Sequence, residues 1–265
     1  MVEYLYVVTY NQIVSGYLIC LKEGRKSMIE MKHVTKQFNN QIILDDISIE
    51  IPKNQLIGIL GPSGCGKTTL LKCIMGMIAT TKGSIHMFQK KVPHKDLLKN
   101  IGYMAQSDAL YQDLTGKENL LFFSDMYNLP KVQAMHQMEY VTSLVSLENS
   151  MNKLVETYSG GMKRRLSLAI SLLHQPDLLI LDEPTVGIDP NIKKQVWQEL
   201  RKLNKVEGKS ILMTTHAMDE VEQCDQVMLL YSGKVLAFDT PENILATYDA
   251  SNFDDVFIQL GGRKK

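Results

Sequence analysis

The chain has 265 residues, and its 29 lysines and arginines are balanced by 29 aspartates and glutamates. That length fits one large domain or a core with a subdomain, and the balanced charge gives no net field toward nucleic acid or an acidic membrane surface, so no nucleic-acid partner is expected. Cys20, Cys65, Cys73 and Cys224 show no C-x-x-C spacing, which argues against a zinc site or a disulfide framework and makes a reducing cytosol the default compartment.

The stretch Met1 to Leu21 is rich in Tyr, Val, Ile and Leu, but Glu3, Asn11, Gln12 and Ser15 interrupt it. It lacks the basic start of a secretory signal, and no other stretch reaches the roughly 18 uninterrupted apolar residues of a membrane span. Residues 1–27 are therefore read as a poorly anchored extension ahead of a domain spanning 28–265.

From residue 28 the pattern is one of short strands: 28–34, 42–51 with Pro52 ending it, and 56–60. A glycine-rich run follows, then a helix to about Met77, a strand at 82–87 and a short strand at 101–104. The middle is helical. Thr115 and Glu118 fit a capping box, with Leu120, Leu121, Phe122, Phe123, Met126 and Tyr127 as an apolar face. Pro130 suits the first turn of another helix carrying Val132, Met135, Tyr140, Val141 and Leu144, and both stripes are expected to be core packing. Then come a helix at 162–174, an apolar run at 178–181, a helix at 192–206, a strand at 210–215, a hairpin over 227–238 and a last helix from Thr240-Pro241. The alternation implies an α/β fold with a mainly parallel sheet, the helical part at about 107–172 being an inserted subdomain.

The run Gly61-Pro62-Ser63-Gly64-Cys65-Gly66-Lys67-Thr68-Thr69 stands between an apolar strand and a helix. That is the context of a phosphate-binding P-loop. Glycines let backbone N–H groups face an anion, and the positive end of the following helix points at it. Lys67 can reach β- and γ-phosphates as a point charge, and the Thr68 hydroxyl can ligate magnesium. Asp182-Glu183 follow the buried run Leu178-Leu179-Ile180-Leu181, at the strand end where open α/β sheets bind ligands. Asp182 can hold magnesium and Glu183 can orient or deprotonate an attacking water. Ser159 is a natural N-cap, and Gly160 and Gly161 leave N–H groups bare at a helix start, which makes a second anion site. Cys65 inside the loop implies thiol sensitivity.

With these motifs in this order, residues 28–260 resemble the nucleotide-binding subunit of an ATP-binding cassette (ABC) transporter. Gly61 to Thr69 matches the Walker A loop, Leu178 to Glu183 matches Walker B with its catalytic glutamate, and Tyr158 to Met162 falls at the family signature. The resemblance implies a P-loop NTPase fold with an antiparallel β-subdomain, ATP and Mg2+ as ligands, and ATP hydrolysis. It also places Gln106 at the Q-loop as a magnesium or water ligand and His216 at the switch histidine facing the γ-phosphate. Asp189 falls at the D-loop, and Phe38 at the aromatic that stacks on adenine. Two subunits, a homodimer being the simplest case, would sandwich two nucleotides. A polytopic permease on a separate chain would hold them at the cytoplasmic face of the membrane. Tyr158 and Met162 replace the commoner Leu and Gln of the signature, while Ser159, Gly160 and Gly161 are retained. The Met, and the ending Asn252 to Leu260, are similar to the drug, antibiotic and lipid export branch. An importer subunit and a soluble ATP-switched regulator remain the alternatives.

Overall fold

The computed structural model of the protein describes residues 27–107 and 109–262. Of the extension expected over residues 1–27 only Ser27 is described, and it begins a strand; the rest of it, with Cys20, and the Arg263-Lys264-Lys265 tail lie outside the described residues.

The strands form two sheets. Strands β1 (Ser27–Phe38), β2 (Gln41–Pro52), β4 (Lys82–Met87) and β5 (Lys90–Lys91) make an antiparallel sheet in the order β2-β1-β4-β5. The second sheet has six strands in the order β10-β9-β3-β8-β7-β6. These are β3 (Leu56–Leu60), β6 (Ile101–Met104), β7 (Leu178–Asp182), β8 (Ser210–Thr215), β9 (Gln226–Tyr231) and β10 (Lys234–Asp239), and only the β9–β10 hairpin is antiparallel. β1 and β2 are both longer than their sequence patterns, and β5 had no sequence signal.

The six-stranded sheet is covered on both faces, which explains its continuous apolar runs. Residues alternate between two cores. Leu56, Leu60, Leu179, Leu181, Ile211 and Met213 face one core, while Ile57, Ile59, Leu178, Ile180 and Leu212 face the other. The second core is shared with the antiparallel sheet and with helix α1 (Lys67–Ile74). The first is shared with α2 (Gly116–Met126), α3 (Lys131–Leu144), α4 (Gly160–Leu172), α5 (Pro190–Lys205), α6 (Met218–Val221), α7 (Pro241–Thr247) and α8 (Phe253–Gly262).

The caps follow the sequence at most places. Thr115 and Glu118 form the capping box of α2, Ser159 caps α4, and Thr240 caps α7 with Pro241 in its first turn. Three expectations need correction. α1 stops at Ile74 and not at Met77, because Gly76 turns the chain left-handed with φ 72°. Pro130 is the N-cap of α3, with ψ 139°, and stands outside the first turn. The apolar stripes of α2 and α3 are only partly core: Leu120, Val141 and Leu144 are buried, but Leu121, Phe122 and Met126 are exposed. Val132 and Met135 are 71% and 70% exposed. Each helix covers its neighbours with one face and leaves apolar side chains exposed on the other, where Phe122 meets the Tyr111 ring at 4.6 Å.

Parallel pairing in register brings the carboxyl ends of β3, β6, β7 and β8 to one edge. Leu60 pairs with Thr215, Asp182 with Thr214, and Met104 with Leu181. The segments leaving that edge begin at Gly61, Ala105, Glu183 and His216. None of the described helices is long and apolar enough to cross a membrane.

Candidate active site

Gly66 is the N-cap of α1 at φ 111°, a region that L side chains avoid, and no side chain caps the helix. The N–H groups of the first turn are therefore left for an anion. Lys67 opens α1 and is 7% exposed. Its ammonium folds back onto the loop, donating to the carbonyl oxygens of Gly61 at 2.6 Å and Pro62 at 3.2 Å. Phosphate oxygens would compete with those two carbonyls for the same ammonium. Pro62, Ser63 and Gly64 are exposed, and Thr68 and Thr69 are half-buried. The Cys65 side chain is buried, and loss of solvent pushes its thiol up despite the opposing charge of Lys67. A thiol held protonated is a poor nucleophile, so the expected thiol sensitivity does not follow from this arrangement.

Asp182 ends β7 and is 1% exposed. Its Oδ1 accepts from the Thr214 hydroxyl at 2.5 Å, while Oδ2 is buried with no protein partner. A buried carboxylate oxygen without a donor is costly unless a cation meets it. Asp182 with the hydroxyl of Thr68 supplies hard oxygen donors, the type magnesium prefers. The residues present thus fit magnesium.

Glu183 follows at φ 53°, with its N–H held by the Thr214 hydroxyl at 3.0 Å and the Thr214 carbonyl at 3.2 Å. Its carboxylate gathers two predicted residues. Gln106 Nε2 donates to Oε2 at 3.3 Å, and His216 Nδ1 lies 3.2 Å from Oε1. The His216 ring is 55% exposed and Glu183 is half-buried, so the cluster opens to solvent at the sheet edge.

The remaining predicted residues stand elsewhere. Phe38 ends β1, is 46% exposed, and has the Lys36 ammonium 4.6 Å from its ring centre. Ser159 Oγ accepts from Met162 N–H at 3.2 Å, and Ser159 and Gly160 are exposed. Gly161 packs so closely on the Gly187 carbonyl that a Cβ would sit 2.9 Å from its oxygen. Asp189 caps α5, its Oδ1 accepting from Asn191 N–H at 2.9 Å. Among the described residues, no hydrogen bond joins Ser159, Gly160 or Gly161 to Lys67, Asp182 or His216.

Two charged residues of this region escaped the sequence. Arg164, in the second turn of α4, is 5% exposed. Its guanidinium donates to the carbonyls of Ala105 at 2.9 Å, Gln106 at 2.7 Å and Glu183 at 2.5 Å, and also to that of Asp182. It joins the end of β6 to the end of β7. Glu220, on α6, is 3% exposed and accepts from the hydroxyls of Thr185 and Thr215. Both look like ordinary helix-surface charges in sequence.

The sequence profile of the ABC transporter family matches residues 44–186, more than half of the chain. The chain belongs to the ABC transporter family. The cassette is 34% identical over 240 residues to ABC transporter G family member 23 of Dictyostelium discoideum, covering 89% of this chain and 34% of that protein. It is 35% identical over 236 residues to the Probable multidrug ABC transporter ATP-binding protein YbhF of Escherichia coli (strain K12), covering 87% and 40%. The Nod factor export ATP-binding protein I of Burkholderia thailandensis is 36% identical over 220 residues, covering 82% and 72%. The chain thus spans between a third and two fifths of the first two relatives. Among solved structures, an ATP binding subunit of an ABC transporter has the same fold, with TM-score 0.80 at 24% identity over 89% of this chain and 100% of that one. The dimeric post-hydrolysis ATP-binding cassette MJ0796, bound to ADP and Pi, matches with TM-score 0.74 at 25% identity over 80% and 98%. The expected P-loop NTPase fold, with its parallel and antiparallel sheets, is therefore the fold observed.

Proposed function

We propose that this cassette binds and hydrolyses ATP to drive export of a drug-like, antibiotic or lipid substrate through a membrane permease carried on a separate chain. The observation that carries this reading is the meeting of Gln106, Glu183 and His216 at the strand edge from which the Lys67 loop also leaves. In this reading the backbone N–H groups from Gly61 to Thr69 and the Lys67 ammonium hold the triphosphate, with Phe38 against the adenine. Thr68, Gln106 and Asp182 hold magnesium, which when bound neutralises charge on the phosphate oxygens. Glu183 takes a proton from the attacking water, and His216 hydrogen-bonds the γ-phosphate.

The exposed Ser159-Gly160 tip and its neighbour Gly161 have no phosphate-binding residue of their own chain bonded to them. In our reading they complete the nucleotide site of a second copy, with Asp189 at the same seam. The dimeric state of MJ0796 supports this arrangement. The exporter names of the relatives support outward transport over import or a soluble regulatory switch. The pair would work at the cytoplasmic face of a membrane.

Purified chain with ATP and magnesium should bind nucleotide and release phosphate, and inside-out vesicles carrying it with its permease should accumulate substrate. Failure of both binding and release overturns the reading; accumulation in right-side-out vesicles overturns only its direction.

A further inference from the structure

Glu220 is a buried acid four residues beyond His216, and the mechanism proposed above gives it no task. Its Oε1 accepts from Thr185 Oγ1 and lies 2.7 Å from the Lys193 ammonium, and its Oε2 accepts from Thr215 Oγ1 at 2.6 Å. Each partner belongs to a different part of the site. Thr215 precedes His216, and its hydroxyl also accepts from Ala217 N–H at 3.0 Å, so His216 is pinned on both sides. Thr185 is two residues beyond Glu183 and is itself 4% exposed. Lys193 lies in the first turn of α5, the helix that Asp189 caps, and its N–H donates to the Asp189 carbonyl at 2.7 Å. One carboxylate therefore ties together the backbone segments bearing His216, Glu183 and Asp189.

A surface helix of four residues does not need a buried acid. Desolvating a carboxylate is costly, and here the cost is met by one cation and two hydroxyl donors aimed from three directions. We propose that Glu220 is a positioning residue, setting the His216 loop against the segment that follows Glu183 so that the imidazole and the carboxylate meet. Without it, the Glu183 N–H still bonds Thr214 and the His216 ring still meets the Glu183 carboxylate, but the tie from the Thr185 segment to the turn at Thr215 is gone. The inference rests on the ATPase reading, since positioning matters only if His216 and Glu183 act together.

The test is steady-state ATP hydrolysis by the full chain, with nucleotide affinity and thermal unfolding measured alongside. Glu220→Gln should lower kcat at least tenfold while nucleotide affinity stays within about threefold. In a His216→Ala background, Glu220→Gln should cost little more, because its effect runs through His216. Thr185→Val, which removes one hydroxyl from the network, should lower kcat with affinity kept, and Thr185→Ser should lie closer to the parent. These milder variants decide the question if Glu220→Gln does not fold. Equal losses in the parent and His216→Ala backgrounds, or full turnover in Thr185→Val, overturn the proposal and leave the ATPase reading standing. A parent chain that binds no nucleotide overturns both.

Discussion

Glu183 and His216 are joined side chain to side chain, Oε1 to Nδ1 at 3.2 Å, across the ends of adjacent strands β7 and β8. A carboxylate only accepts, so Nδ1 carries the proton in this contact. Glu183→Gln keeps the shape but removes the proton acceptor. Turnover should fall roughly 10²–10⁴-fold with ATP binding retained, measured by phosphate release and nucleotide titration. Hydrolysis near the parent rate would remove Glu183 from its assigned place.

Lys67 is held by two loop carbonyls and so is already poised where phosphate oxygens would arrive. Removing a charged donor of this kind should weaken ATP binding roughly 10- to 100-fold. Lys67→Ala should therefore lose affinity and turnover together, unlike Glu183→Gln. Unchanged affinity in a direct titration would contradict the P-loop assignment.

The P-loop and the Asp182-Glu183 pair were legible because their chemistry is local. Glycine spacing, a strand before and a helix after define the first, and an apolar run before two acids defines the second. Arg164 and Glu220 were not legible, because a buried charge reads like a solvated one until its partners are known. Those partners lie on other elements: Ala105 and Asp182 for Arg164, Thr185 and Lys193 for Glu220. The exposed faces of α2 and α3 failed for a related reason. Val132 and Met135 sit in an apolar stripe, and a stripe does not say whether anything packs on it. Phe38 was singled out by the family resemblance alone; its residue type does not tell a buried ring from the half-exposed one at the end of β1.

Asp182 Oδ2 has no donor, so Asp182→Asn should not destabilise the chain in the absence of metal, since it removes an unmatched buried charge. The amide oxygen can still accept from Thr214. What should vanish is metal linkage. With ATP present, magnesium should raise the unfolding midpoint of the parent over an EDTA control, and Asp182→Asn should show no such rise. An equal rise in both would place the ion elsewhere.

Arg164 satisfies four carbonyls at the ends of β6 and β7. Arg164→Met leaves the buried Asp182 carbonyl and the part-buried carbonyls of Ala105, Gln106 and Glu183 without this donor and should cost about 3 kcal/mol of unfolding free energy. Arg164→Lys should recover only part of this, because an ammonium cannot present a planar fork to two loops at once. Denaturant unfolding at matched slope gives both values. A loss below about 1 kcal/mol in Arg164→Met would mean that other donors reach these carbonyls.

His174, just beyond α4, stacks on Tyr127 with ring centres 4.0 Å apart and bonds the Ile101 carbonyl through Nε2 at 3.0 Å, while its Nδ1 is buried without a partner. Burial pushes the imidazole below its ordinary 6.5, and the nearby charge of Lys209 pushes the same way against the Ile101 hydrogen bond. The folded chain thus keeps the ring neutral at pH values where the unfolded chain has begun to protonate it. Its contribution to stability is complete above pH 6.5 and is lost as pH falls through the lower folded value. Gln in its place can still donate to Ile101 but does not titrate. Urea unfolding between pH 7.5 and pH 5.5, each a chosen condition on either side of about 6.5, should show a shallower decline for His174→Gln than for the parent. Parallel declines would mean that the His174 ring reaches water in the folded chain.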